Sequence, residues 1–321
     1  MIVPVYNRED VIEKCLKSIR SSAYRDYELI VVDCGSTDNT VAVAGLYADR
    51  VIELAGAAER SKARNNGFEA AQGEVIVNID SDVLIRPDTL GIIEGYLRNH
   101  PEADALTGCL AKEHPHHGFF SQYKNLYMHY NFSRLPARVS FLYGSLCALR
   151  RSAWQDYKPE INIAEDTELG QRLAASGKKI AFLRELEVAH LKKYDFLSFI
   201  KNDFVIPFHW ARLFIKYKGW EQLGRNKTGF AHVSLGQLAA VVLAPLIFIF
   251  LLAGFLNRPY FLIAALLTFA WYFFNFRFLK FLAQEKGVIF GSRALFITFL
   301  DNIAMALGIA VGLLAAMGGK F

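Results

Sequence analysis

The sequence predicts an α/β domain with a mainly parallel sheet, followed by interfacial helices and three transmembrane helices. Three observations carry that expectation. Strand-like and helix-like stretches alternate through the first hundred residues, the pattern of a parallel sheet with crossover helices. One stretch, "ELIVVD" (28–33), is apolar for four residues running, as a strand covered on both faces must be. Charge nearly vanishes beyond position 232. Of 36 basic residues only Arg258, Arg277, Lys280, Lys286, Arg293 and Lys320 lie there, and of 31 acids only Glu285 and Asp301.

The elements follow in order. "IVPV" (2–5) reads as a strand, and "EDVIEKCLKSIRS" (9–21) places Val11, Cys15, Ile19 and Ile12, Leu16 at helical spacing. After "ELIVVD" comes the turn "GSTDNT" (35–40), where Asp38 or Thr37 can cap the next helix. "RVIEL" (50–54) is a third strand, "SKARNNGFEAAQ" (61–72) a helix and "EVIVNID" (74–80) a fourth strand. Past residue 100 the pattern loosens, as expected for a substrate-facing half with longer loops. The α/β domain is placed at 1–192, interfacial amphipathic helices at 193–232 and a three-helix transmembrane region at 233–321.

The stretch 233–256 carries no charge, and 259–276 and 294–319 are comparably apolar. About 20 apolar helical residues cross a hydrocarbon core of about 30 Å, so each is long enough to span. The chain opens on a strand-like "MIVPV", so no signal peptide is expected. Lys216, Lys218, Arg225 and Lys227 precede the first span, and Arg277, Lys280, Lys286 and Arg293 separate the second from the third. The positive-inside rule then puts the N-terminal domain in the cytosol and the C-terminus outside. Arg277 and Asp301 are expected to pair across neighbouring helices, because ionisable groups at such depth are costly alone. Residues 192–232 mix aromatics with eight Lys/Arg against three acids, a composition that suits the headgroup plane. Cys15, Cys34, Cys109 and Cys147 lack zinc spacing and read as reduced thiols.

Ligands of such sheets sit at the C-terminal ends of the strands. Tyr6-Asn7, Asp33 and Asp80-Ser81-Asp82 all fall at such ends and are expected to converge. Asp80 and Asp82, at i and i+2, project to one side of an extended backbone. Held close, two carboxylates raise each other's pKa unless a cation intervenes. A divalent ion, magnesium or manganese, shared with substrate phosphates would remove that repulsion. On these residues alone, Asp-Ser-Asp suits equally well a cap ahead of the helix that begins near Pro87 and Asp88.

The strings "VPVYN", "VVDCGSTDNT", "RSKARNNG", "DSDV" and "EDTELGQRL", in that order, resemble the family 2 glycosyltransferases, which have the GT-A fold. The resemblance covers about residues 1 to 190. It implies that Pro4, Tyr6 and Asp33 form the pocket for the nucleotide base, and that Asp82 holds the metal with Asp80 beside it or beside the ribose. It implies further that Arg60, Lys62 and Arg64 open a helix near the phosphates. Asp166, with Glu165 second, becomes the base that takes the acceptor hydroxyl proton as the anomeric carbon inverts. His190 is a candidate third metal ligand or phosphate donor. His114, His116 and His117 are read as loop. Where family members commonly read Asp-Asp-Gly-Ser, this chain has Asp33-Cys34-Gly35-Ser36. Gln171-Arg172-Leu173 does not match the Gln-x-x-Arg-Trp string of processive synthases, so addition of one or few sugars is expected.

The expected partners are a nucleotide-sugar donor, a divalent metal, a lipid or lipid-linked acceptor and the bilayer, with no nucleic acid. The sequence sets no oligomeric state. Two other functions share these features. One is a polyprenyl-phosphate sugar transferase, which needs no strong base. The other is a non-catalytic membrane scaffold that keeps a nucleotide-sugar fold.

Overall fold

The computed structural model describes residues 1–56, 59–221 and 233–318. The chain divides into two compact units, one of residues 1–116 and 132–193, the other of 117–131 and 194–321.

The first unit is built on one mixed sheet. Strands β1 (Ile2–Val5), β2 (Ile30–Asp33), β3 (Arg50–Glu53) and β4 (Val75–Ile79) lie in the order β3-β2-β1-β4, all parallel. Helices α1 (Ile12–Arg20), α2 (Thr40–Gly45) and α3 (Arg60–Ala70) make the crossovers between them. β1 and β2 are buried throughout, which is why "IVVD" carries no polar residue before its last. In α1 the buried residues are Ile12, Cys15, Leu16 and Ile19, the spacing read from the sequence. A residue at Gly67 of α3 would need a Cβ 2.5 Å from the Ile2 side chain, so glycine lets this helix close on the sheet.

The second half of the sheet is laid differently. It contains β5 (Val83–Leu84), β6 (Ala105–Leu110), β7 (Arg138–Val139), β8 (Leu146–Arg150) and β9 (Ile180–His190). β8 runs antiparallel between β4 and β6, and β9 runs parallel to β6. The far ends of β9 pair antiparallel with β7 and with β5. Helices α4 (Thr89–Asn99) and α6 (Glu165–Ala175) complete this unit. Pro87 and Asp88 do precede a helix, but Asp88 makes no side-chain cap.

The second unit is helical: α5 (Phe119–Phe132), α7 (Phe196–Lys216), α8 (Leu235–Leu256), α9 (Pro259–Lys286) and α10 (Val288–Met317). The last three are long and apolar enough to cross a membrane. Their polarity is inverted relative to a soluble bundle. Phe248, Phe255, Phe269, Phe273 and Leu314 face outward, while Asn275, Thr298, Asp301 and Asn302 are buried. Two of these groups are bonded across helices, Trp271 Nε1 donating to Asn302 Oδ1 at 2.8 Å and Tyr123 OH meeting Thr298 Oγ1 at 2.9 Å. Apolar groups outside and polar groups turned inward is the arrangement a hydrocarbon solvent selects.

The expected Arg277–Asp301 pair does not form. Arg277 is exposed on α9, whereas Asp301 is fully buried and accepts from Tyr123 OH at 3.4 Å. The hairpin of α9 and α10 turns Trp271 and Phe278 inward, and Arg277 falls on the outer face between them. Helix α7 packs against α10 backbone to backbone. A Cβ at Gly308 or Gly312 would lie 2.2 Å from Phe204 O or 2.3 Å from Phe208 O, the close approach that small-xxx-small pairs permit. The rest of the expected interfacial segment, 222–232, and Phe321 lie outside the described residues.

Candidate active site

The C-terminal ends of β1, β2 and β4 lie side by side, with Val5 in register with Asp33. Their trailing loops are tied together. The Asn7 N–H donates to Ser36 Oγ, and Asn7 Oδ1 accepts from the Thr37 N–H, both at 2.8 Å. Asn7 sits at φ 48°, a conformation asparagine tolerates better than most residues. The chain then turns through Gly35 at φ 82°. Asp33 Oδ2 accepts from the Gly35 and Ser36 N–H groups at 3.0 and 2.8 Å. Its Oδ1 is buried and has no hydrogen-bond partner among the described residues. Tyr6 is exposed past the end of β1, while Pro4 is buried inside the strand opposite Val32.

β5 and β9 supply the next group. Val83 pairs with His190, and the Leu191 N–H donates to Asp82 O at 2.7 Å. This short ladder sets His190 beside the acidic pair. One ligand atom from each of Asp80, Asp82 and His190 lies within 4.8 Å of the other two. His190 Nε2 is 3.7 Å from Asp82 Oδ1, and the Lys192 N–H donates to Nδ1 at 3.0 Å. Burial holds the His190 imidazole below its usual range, against the raising pull of Asp82 and Asp80. Burial also opposes ionisation of Asp80, but Arg64, Arg60, His190 and Lys192 outweigh it and hold that carboxyl low. The two carboxylate oxygens suit a hard divalent ion such as magnesium or manganese, and the imidazole nitrogen suits a transition metal better than magnesium. His114 and His116 are engaged elsewhere. The His116 N–H donates to His114 Nδ1 at 3.2 Å, and His116 Nε2 lies 3.0 Å from Leu191 O.

The third group opens α6. Ala164 precedes it in the left-handed region, φ 61°, a strained position for a residue with a Cβ. Asp166 is held by two backbone donors, the Gly144 N–H at 2.6 Å from Oδ2 and the Thr167 N–H at 2.7 Å from Oδ1. Burial, then the charge of Glu165, push its carboxyl up to about 6. Glu165 itself is buried and accepts from Arg64 Nη1 at 2.5 Å. Arg64 Nη2 reaches Asp80 Oδ1 at 2.9 Å. Arg60 and Lys62, on the same helix, are exposed.

Residues 1–158 match the family model for Glycosyl transferase family 2. The match covers 158 of the 321 residues, just under half of the chain. Curated relatives align over shorter stretches. The uncharacterized glycosyltransferase YibD of Escherichia coli strain K12 is 35% identical over 92 residues, 27% of this chain and 26% of that protein. The glycosyltransferase GlyG of Streptococcus pneumoniae is 32% identical over 110 residues, 33% of this chain and 36% of the relative. The matches thus span about a quarter to a third of those relatives' lengths. Among solved structures, the mannosyltransferase PcManGT of Pyrobaculum calidifontis, in complex with GDP-Man and Mn2+, superposes with TM-score 0.59 at 17% identity, covering 100% of this chain and 87% of that one. Residues 1–349 of TarS from S. aureus, in complex with UDP-GlcNAc, give TM-score 0.50 at 17% identity, with coverage of 100% and 91%. Both share the fold.

The sequence did not single out Gly144 in this domain. Its backbone reaches Asp166 because a Cβ there would sit 3.1 Å from Asp166 Oδ2 and 3.3 Å from Arg64 Nη2. A glycine inside "FLYGSL" is the one signal the sequence offers.

Proposed function

We propose that this chain is an inverting, metal-dependent glycosyltransferase that moves one sugar from a nucleotide sugar to a lipid-linked or membrane-associated acceptor at the cytosolic face. The observation that carries the reading is a pair of carboxylate sites whose ionisation is shifted in opposite directions and which are linked through Arg64 and Glu165. Asp80, beside Asp82 and His190, is held low, and Asp166 is pushed up to about 6. Divergent environments for titratable groups in one cleft are the mark of assigned acid, base and ligand roles.

Asp33 Oδ1, buried and unsatisfied, is free to accept a ring N–H of the donor base, and the exposed Tyr6 ring offers a stacking face. Asp82, Asp80 and His190 would hold a divalent ion. When bound, it supplies positive charge for the departing diphosphate. Arg60 and Lys62 add exposed cations at the first turn of α3, where anions are also favoured by the helix N-terminus. Asp166 takes the proton of the attacking hydroxyl. Its two N–H donors fix the carboxylate in place, and its pKa near 6 makes it a better base than an ordinary aspartate. Three apolar helices in the same chain favour an acceptor presented at a membrane. Gln171 is buried and donates to Ser140 O at 2.9 Å; it is tied into the core rather than offered to an emerging polymer.

Donor hydrolysis by the purified protein, screened over UDP and GDP sugars with manganese, magnesium or chelator, tests this reading. Metal-dependent release of the nucleoside diphosphate from at least one donor is expected. Release from none, with the protein folded, contradicts it and favours the scaffold.

A further inference from the structure

The string "RSKARNNG" contains three basic residues, but the structure divides them sharply. Arg60 and Lys62 face solvent, whereas Arg64 is 1% exposed. Its guanidinium stacks over the Tyr157 ring at 5.2 Å and spends Nη1 on Glu165 and Nη2 on Asp80. Two neighbours on the same face of α3 grip the loop that leads into α6. Ser61 Oγ donates to Ile161 O at 2.8 Å. Asn65 exchanges two 2.8 Å bonds with Tyr157, Nδ2 donating to its carbonyl and Oδ1 accepting from its N–H. Residues 61, 64 and 65 are one helical face by spacing, so a single face of α3 holds residues 157, 161 and 165 in turn.

We infer that Arg64 is a positioning residue, not a phosphate contact: it ties the acidic pair at the end of β4 to the start of α6, and so sets Asp166 against the donor site. Glu165 is the arm through which it acts rather than a second base. Both groups belong to the machinery of the proposed reaction, and the inference rests on that reading. A buried guanidinium between two carboxylates is costly to form unless all its neighbours are placed. Here it locks three separate chain segments: α3, the end of β4 and the N-terminus of α6. Moving a base by about 1 Å costs on the order of a hundredfold in rate, so the lock controls turnover without touching substrate.

The charges facing Asp166 make the role measurable. Glu165 of α6 and Arg64 of α3 act in opposite senses on its ionisation. Tyr143, Tyr157 and Cys147 also adjoin it, but burial pushes each of them up, Cys147 to about 12, so they stay neutral. The test is the pH dependence of transfer for Glu165→Gln, Arg64→Gln and the double variant, beside donor affinity by calorimetry and an Asp166→Asn control. Glu165→Gln should move the acid limb to lower pH, Arg64→Gln should move it to higher pH, and the double variant should return it toward the wild-type position. Turnover at the pH optimum should fall about 10- to 100-fold in both single variants. Opposed, cancelling shifts are not what a merely structural residue produces. If Arg64→Gln fails to fold, Glu165→Gln and the neutral double variant still read out the pair. An unmoved acid limb in Glu165→Gln, or wild-type turnover in Arg64→Gln, overturns the inference while leaving the base assignment intact. Wild-type transfer by Asp166→Asn removes the base itself, and the inference with it.

Discussion

The backbone N–H of Gly144, just ahead of strand β8, donates to Asp166 Oδ2 at the start of α6 at 2.6 Å. The approach depends on the missing side chain, since a Cβ would stand 3.1 Å from that oxygen. Gly144→Ala is therefore expected to push Asp166 aside by a few tenths of an ångström and to slow transfer about 10- to 100-fold. Donor affinity measured by calorimetry should stay near wild type. Equal loss of donor affinity would place Gly144 in the donor pocket instead.

The same carboxylate sets a pH dependence. Burial and Glu165 raise the Asp166 pKa to about 6, and a base works only when ionised. Below pH 6 the group is protonated, so transfer should fall about tenfold per unit, and above it the rate should level off. A pH profile of kcat/KM with a hydroxyl acceptor checks this. An acid limb near pH 4, the ordinary carboxylate range, contradicts the assignment.

Much of this site was legible in the sequence because strand ends announce themselves. Apolar runs stop at Tyr6, Asp33 and Asp80, and parallel pairing of β1, β2 and β4 brings those stops together. What was not legible depends on contacts far apart in the chain. Helical spacing shows that Arg60 and Arg64 lie about one turn apart, but not that only Arg64 meets Glu165, 101 positions away. Helix α5 sits in sequence among the strands, yet Tyr123 meets Thr298 and Asp301, and Lys124 pairs with Asp203. Those polar groups meet within the helical unit, and no local pattern in "FFSQYKNLYMHYNF" reveals it. The Arg277–Asp301 expectation failed for the same reason. Charge complementarity selects possible partners, but the helix face decides between them.

The seat of α7 on α10 gives a stability prediction. Gly308→Ala forces a Cβ into Phe204 O, and overpacking of this kind costs about 1 to 3 kcal/mol. Thermal unfolding in detergent should shift to lower temperature, while Gly318→Ala, with its nearest contact at 3.5 Å, should not. An unchanged transition in Gly308→Ala argues against the close helix contact.

The topology can be read with cysteines, since Cys15, Cys34, Cys109 and Cys147 are all buried and free. The positive-inside rule predicts that 277–293 faces the cytosol and that the C-terminus lies outside. In intact cells an impermeant thiol reagent should label a cysteine added after the C-terminus and spare Lys286→Cys until the membrane is opened. Labelling of Lys286→Cys in intact cells reverses the orientation.

The division of labour between the two carboxylate sites is the centre of this account. Donor binding by calorimetry, measured beside the transfer rate for Asp82→Ala and Asp166→Asn, tests it most directly. Asp82→Ala should lose nucleotide-sugar affinity and turnover together. Asp166→Asn should bind donor as wild type does and transfer about 10² to 10⁴ times more slowly, about 3 to 5 kcal/mol of barrier. Transfer by Asp166→Asn at the wild-type rate would contradict the account and favour a phosphate acceptor that needs no base.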